Sequence, residues 1–307
     1  MSTLKKVRDA WDIVRKIRGP MEMVRALAPS DWLEPLVLNE MVGSDGVANV
    51  QDTEDGLASA ESLRRLCNTL KAEFIDAGSI DYRALASSET FAELEQVSRA
   101  LVHVDPNELD GDDARNAFWI NIYNVLAIHG VVALGLEHSV METPSFFRRV
   151  SYQIGGYPMS LDQIEHGVLR LNALHPSSGR GTLPDGDPRL AFCPSELDPR
   201  IHMALVCTAR SCPPVAFYQA EKLSTQLDMA SANFVSGSVT VNSKKEVVKL
   251  SSLFKFYTDD FGGVEGLKTF LLTHADRKQA QILAKAFKLK WTWEWSRYDW
   301  SLNTLMA

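Results

Sequence analysis

The segment "DARNAFWINIYNVLAIHGVV", residues 113–132, constrains the fold more than any other part of the chain. It is apolar nearly all round, so a helix there has no solvent face and must run through a core, from about Ala114 to Leu134. The preceding "DPNELDGDDARN" supplies a turn and candidate N-caps, with Asp112 or Asp113 the best placed. Yet the helix carries Asn116, Asn121, Asn124 and His129. Asn121 and Asn124 lie three apart and present their amides to a shared region. A buried amide without partners costs about 1–3 kcal/mol. These side chains must therefore pin neighbouring loop backbone, or else orient a catalytic histidine or donate to an oxyanion.

Around this helix the pattern alternates between helical and extended pieces. Leu63, Leu66, Leu70 and Phe74 recur at helical spacing, and residues 88–104 read as helix again. "YQIGGYPMSLDQIEHGVLRL" predicts a hairpin turning at Gly155-Gly156, then a helix capped near Ser160. Residues 176–199, with five prolines and three glycines, form a loop. Ile201–Cys207 is short, apolar and bounded by breakers, which predicts a buried strand. An amphipathic helix over 217–235, a hairpin in "SVTVNSKKEVVKLS" and two helices across 264–288 follow. In "KLKWTWEWSRYDW", Trp291, Trp293 and Trp295 alternate with polar residues, so one strand face is aromatic. Helices outnumber scattered strands, and the fold class is α+β, a mostly helical single domain around a small mixed β-sheet.

The N-terminal part has a different composition. Residues 1–28 hold seven basic and three acidic residues, with Leu4, Val7, Trp11 and Val14 at helical spacing, so they form a basic amphipathic helix. Such a helix packs on its own domain, or docks on a membrane surface or protein partner. Residues 39–62 contain six acidic residues and no Lys or Arg, and read as a connector. The division expected is 1–58 as extension and linker and 59–307 as the main domain. A net charge of −7 argues against nucleic-acid binding, which needs a basic footprint. Four cysteines do not make a disulfide scaffold and suit a reducing, cytoplasmic setting. No window of eighteen consecutive apolar residues occurs, so no membrane-spanning helix is expected.

The chemistry-bearing stretch is "RIHMALVCTARSCPP", residues 200–214. Strand alternation would put His202 and Cys207 on opposite faces. Cys212 sits in a loop before two prolines and the 217–235 helix, with Arg210 nearby, a setting that favours thiolate. Cys212 as nucleophile, His202 or His166 as base, and Asn121 or Asn124 as orienting or oxyanion amide would assemble a cysteine-hydrolase site. In "IEHGVLR", His166 and Arg170 are four apart and can share a polar partner. The competing readings are a Cys207–Cys212 redox pair, which lacks the C-x-x-C form, and a zinc site from Cys193, Cys207 and Cys212, which lacks knuckle spacing. Cysteines that merely pack are the third. Glycine-rich nucleotide loops, H-E-x-x-H and G-x-S-x-G are all missing, and no cofactor is implied.

Six pieces in order carry a family resemblance: "IDYRAL", "DARNAFWINIYNVLAIHGV", "SLDQIEHGVLR", "RIHMALVCTARSCPP", "KLSSLFKFYTDDFG" and "YDWSLN". Over about 81–303 the chain resembles the family known as domain of unknown function 547 (DUF547). The resemblance brings little biochemistry. Members resemble parts found beside interaction or redox modules, and a distant similarity to papain-like and transglutaminase-like folds would place a helix, a histidine-bearing strand and a late tryptophan strand around the site. This chain departs from the family pattern at Thr208, where the family usually has glycine after the first cysteine; glycine there would supply a positive φ. Two functions are expected to compete. One is a thiol-dependent hydrolase or acyl transferase acting on an unknown small or peptide-like substrate. The other is a non-catalytic interaction or membrane-docking module whose Asn, His and Cys residues form a structural network.

Overall fold

A computed structural model describes residues 34–40 and 56–305. The basic segment 1–28 and most of the acidic stretch 39–62 lie outside the described residues; from Gly56 that stretch is already helix.

The apolar segment is the helix Gly111–Ala133, buried without a break from Asn116 to Val131. By length and composition it could cross a membrane, but 89% of its most apolar window is buried inside the fold, as in a core helix. It begins three residues earlier than its sequence suggests. Asp110 takes the N-cap position without a side-chain bond, and Gly111 supplies φ +81°. Asp112, expected as a cap, accepts instead from Ser195 N at 2.9 Å.

A first apolar cluster surrounds this helix, with helices Gly56–Phe74 and Glu89–Arg99 packed against each other beside it. On it lies a mixed sheet in which β4 (Val150–Ile154) pairs antiparallel with β5 (Tyr157–Ser160) and parallel with β1 (Leu36–Val37). The hairpin turns at Gly155-Gly156, both at positive φ, and a Cβ at Gly155 would meet the Val104 carbonyl oxygen at 2.9 Å. Ile75–Asp76 (β2) and Ser79–Ile80 (β3) form a separate short ribbon.

A second apolar cluster is built from Met203 and residues from Phe234 onward. There β6 (Thr240–Asn242) and β7 (Val247–Ser251) form the expected hairpin, and β8 (Thr292–Ser296) joins β7 in parallel. Trp293 and Trp295 share a face of β8, rings 6.0 Å apart. Helices Gly263–His274 and Arg277–Lys288 pack together beside this sheet. The α+β class with small mixed sheets therefore holds.

One expected strand is not there. Residues 199–203 form a 3-10 turn, and the chain to Cys212 is irregular. Asp198 caps the turn by accepting from Arg200 N, and Pro199 occupies its first position, so a helical start signal overrides the apolar run. The alternation that set His202 opposite Cys207 does not apply. Nor does a histidine-bearing strand of the papain or transglutaminase kind exist at this place.

His129 is a core residue. Its Nδ1 meets the Tyr152 hydroxyl at 2.8 Å, and the Phe91 ring stands edge-on 5.2 Å away. Burial lowers its pKa from 6.5 to about 4. Between those values the unfolded chain binds a proton that the folded chain refuses, so stability falls as the pH drops, by about 1.4 kcal/mol per unit for such a group. Urea unfolding of H129Q between pH 6.5 and 4 should show a shallower fall than the parent by that increment.

Candidate functional site

Two polar clusters meet near the turn at 199–203, whose Ile201 belongs to the first apolar cluster and Met203 to the second.

The first holds the thiols. Asn124 accepts from Val206 N at 2.8 Å and donates to the carbonyls of Ala204 and Ala216 at 3.0 and 3.1 Å. Asn121 does the same for Tyr218, accepting from its N at 2.7 Å and donating to its O at 2.8 Å. Both amides are thus bound to the backbone of residues 204–218, and neither orients an imidazole. They let the apolar run lie buried without a strand neighbour to satisfy it.

After Cys207 the chain reverses at Thr208, a fully buried β-branched residue at φ +66°. The resemblance implies glycine at this position, and the backbone takes a left-handed conformation with threonine in its place, at a strain cost of about 1–2 kcal/mol. Residues 208–211 are stitched to the C-terminal segment: Arg210 N donates to Ser301 O at 2.8 Å and Asn303 N to Thr208 O at 2.8 Å. Asp299 N donates to Ser211 Oγ at 2.8 Å. The stitching brings Tyr298 over both thiols, its hydroxyl 3.3 Å from Cys207 Sγ and 3.2 Å from Cys212 Sγ. Asn303 is anchored in turn by the Tyr82 hydroxyl at 2.8 Å and by its own donation to Gly78 O. The pieces "IDYRAL", "CTARSC" and "YDWSLN", far apart in sequence, converge here.

Cys207 and Cys212 are free, half-buried and hydrogen-bonded to each other. Cys207 N also donates to Cys212 Sγ at 3.2 Å. Burial alone would raise the Cys212 thiol. Hydrogen bonds from Cys207, Tyr298 and the backbone N–H groups of Ala209 and Cys207 outweigh it and lower the pKa. Cys207, bonded to Cys212 and buried, is held well above the ordinary thiol range. The lowering does not come from a helix N-terminus as the sequence suggested, because the next helical turn starts only at Ala220. Cys212 opens on a cavity of about 320 Å³ that Arg210, Gly78, Ser79, Asn303 and Thr304 also line.

The second cluster holds the imidazoles. Ser160 and Gln163 cap each other reciprocally, and the chain then runs as a π-helix over Gln163–Leu169, with Leu171 and Asn172 both left-handed after it. Irregular helices of this kind recur at functional sites. The turn faces Glu165, His166 and Arg170 inward. Arg170 grips Asp260 with two bonds of 2.5 and 2.8 Å and approaches His166 Nδ1 at 3.0 Å. His202 Nε2 reaches Asp260 Oδ2 at 2.8 Å, and its ring lies on Tyr257 at 3.8 Å and 14°. The Tyr257 hydroxyl donates to Glu165 at 2.5 Å. Burial would raise the Asp260 carboxyl, but the bonds from Arg170 and His202 hold it well below the usual carboxylate range. Burial lowers His166 to about 3.

Of the residues singled out from sequence, then, Cys212 alone faces the cavity. The partners of its sulfur are thiol, phenol and backbone amide; neither His202 nor His166 is among them. Arg170, Tyr257, Asp260 and Tyr298 were not singled out as site residues, although the last three sit in the pieces "FYTDDF" and "YDWSLN". Cys193 lies elsewhere, its Sγ on Gly167 O, away from any cysteine metal set.

Among the described residues, Asp162, His166 and His175 offer three ligand atoms within 4.8 Å of one another. Their hydrogen bonds suit a cation poorly. A guanidinium only donates, so His166 Nδ1 accepts from Arg170 and the proton sits on Nε2. His175 Nδ1 accepts from Ser177 N at 3.1 Å, with the same result. Asp162 already pairs with Arg148 at 3.4 Å. A cation bound through both Nε2 atoms would need those protons moved onto nitrogens that face donors.

The Asp260 side chain is 4% exposed, as is that of Arg170. Truncation by D260A leaves the Arg170 guanidinium buried without its counter-charge and takes the carboxylate from His202, and should cost about 3–5 kcal/mol in urea unfolding at neutral pH.

Comparison with known proteins adds one finding. No curated protein and no solved structure matches. Residues 106–235 match the family described as "Protein of unknown function, DUF547". The match takes in the central helix, the π-helix and the cysteine loop, while the Tyr82, Tyr257, Asp260 and Tyr298 contributions lie outside it. Over those residues, less than half of its length, the chain is similar to the DUF547 family.

Proposed function

We propose that the domain is a thiol-dependent enzyme of the hydrolase or acyl-transferase kind, with Cys212 as the nucleophile. The observation that carries this reading is a thiol with lowered pKa opening on a cavity. Thiolate, not thiol, attacks carbonyl carbon, and here donors from the loop and Tyr298 favour it without a neighbouring base. Arg210, exposed on the same cavity wall, supplies positive charge for an anionic substrate group.

The same geometry narrows the substrate. Cleaving a peptide-like amide requires an acid to protonate the departing amine, a role that histidine fills in cysteine hydrolases. Among the described residues Tyr298 is the one side-chain hydroxyl bonded to Cys212, and burial, with both thiols beside it, pushes its pKa far up, so it donates a hydrogen bond but is a poor acid. Groups that leave unprotonated, as in thioesters and activated esters, suit the site better than amides.

A second reading, the non-catalytic interaction module, draws on the bonding of Asn121, Asn124, His166 and His202, all of which have structural partners. Its docking element would be residues 1–28, on a membrane surface or a protein partner, and deleting them would abolish docking while leaving Cys212 reactivity untouched.

Iodoacetamide modification against pH, read by peptide mass spectrometry, tests the catalytic reading. Cys212 should react with an apparent pKa below the roughly 8.5 of a free thiol. Cys193, which burial pushes up to about 11, and the buried Cys67 should lag. An aryl thioester should then leave its acyl group on Cys212 and on no other cysteine. If Cys212 stays unreactive until the protein unfolds, the nucleophile assignment falls.

A further inference from the structure

The hydrolase chemistry uses Cys207 only as a hydrogen-bond donor to the Cys212 sulfur. A hydroxyl or an amide would serve that purpose, yet the loop is shaped to bring a second thiol into contact with the nucleophile. The left-handed Thr208 and the bond from Cys212 N to Ala209 O at 3.0 Å turn the chain back within five residues. The C-terminal segment then locks the turn, and one phenolic hydroxyl serves both sulfurs.

We infer that Cys207 and Cys212 form a reversible intramolecular disulfide, and that the site exchanges with low-molecular-weight disulfides bearing carboxylate groups. The roles divide by access. Cys212 lines the cavity and Cys207 does not, so Cys212 is the attacking sulfur and Cys207 the resolving one. The Cys212 thiolate attacks one sulfur of R–S–S–R, forming a mixed disulfide and releasing one RS⁻, which takes up a proton from solvent. Cys207 then loses its proton and attacks Cys212 Sγ, closing the Cys207–Cys212 bond and expelling a second RS⁻, which that proton converts to RSH. The balance is two protein thiols and one R–S–S–R giving one protein disulfide and two RSH. The small disulfide is the oxidant, and excess RSH reverses both steps. The attacking sulfur gains from the same donors that lower its pKa, and a thiolate leaving group needs no acid, which matches a site without an imidazole on the sulfur. Arg210, on the cavity wall, supplies the charge that favours carboxylate-bearing disulfides.

This inference needs the Cys212 thiolate of the catalytic reading but none of its acyl chemistry. The test treats the full chain with oxidised glutathione, and in parallel with the cationic disulfide cystamine, followed by non-reducing peptide mass spectrometry. The expected product is a Cys207–Cys212 cross-linked peptide, formed several-fold faster with oxidised glutathione and reversed by reduced glutathione. The C207S variant should stop at the Cys212–glutathione mixed disulfide, and C212S should give neither product. If the parent protein accumulates the mixed disulfide with Cys207 still free, or resists both disulfides while iodoacetamide labels Cys212, the inference is overturned and the acyl-transfer reading stands. Resistance to all three reagents overturns both. Equal rates with the two disulfides overturn the carboxylate preference.

Discussion

The arrangement depends first on two amides. Asn121 and Asn124 project from a helix with no polar face of its own and bind the backbone of the 204–218 segment at five points. Its apolar parts, Ala204–Val206 and Phe217–Tyr218 among them, are buried, and without a sheet beside them their peptide groups would have no partners there. The amides take the place of a strand neighbour. They allow an irregular chain to cross the core, which in turn frees it to make the tight reversal at Thr208. A regular strand would have put His202 and Cys207 on opposite faces and could not have folded Cys212 back onto Cys207 within five residues.

The second constraint is charge. Arg170 and Asp260 are removed from water together, and the loss of solvation is offset by a two-point bond plus contacts to two histidines. These partners come from three places: the π-helix, the 199–203 turn, and the loop after Phe256 in the second apolar cluster. The network therefore acts as a rivet across the seam between the two clusters. His202, with Nε2 on a carboxylate held ionised, must carry its proton on that nitrogen, and its ring face is covered by Tyr257. An imidazole so occupied is suited to holding the seam, and the task of stabilising a thiolate passes to the phenol and backbone donors around Cys212.

What the sequence made legible follows from range. The core helix, the Gly155-Gly156 hairpin, the Ser160 cap and the common face of His166 and Arg170 all rest on spacings of a few residues, and each stands in the structure, although the two side chains bind each other and not one shared partner. Ile201–Cys207 was misread because an apolar run between breakers looks the same whether its peptide groups are satisfied by a strand or by asparagines some 80 residues earlier. Tyr298, Tyr257 and Asp260 lie 86, 92 and 90 residues from the groups they bind, beyond any local pattern. Their only trace was a place in pieces that carried the family resemblance, and those pieces lie outside the matched residues 106–235. The positive φ at Thr208 shows how such a trace can be physical, because a departure from glycine pointed to a backbone conformation that the residue indeed adopts.

The separation of thiols from imidazoles decides the chemistry more than any single residue. A cysteine hydrolase couples its sulfur to histidine so that one proton can be taken from the thiol and returned to the leaving group. Here the sulfur's proton is already disfavoured by four donors, and the Tyr298 phenol beside it returns one poorly. On the reading proposed above, such a site suits substrates that exchange one stable sulfur or oxygen anion for another. Acyl thioesters and disulfides both meet that condition, and they differ in what resolves the covalent intermediate: an incoming nucleophile from the cavity in the first case, Cys207 in the second. Because Cys207 already touches Cys212 while any acyl acceptor must enter the cavity, closure of the disulfide is the intramolecular step and has the advantage of proximity. An acyl-transfer enzyme built on this loop would therefore work only where the thiol pair is kept reduced.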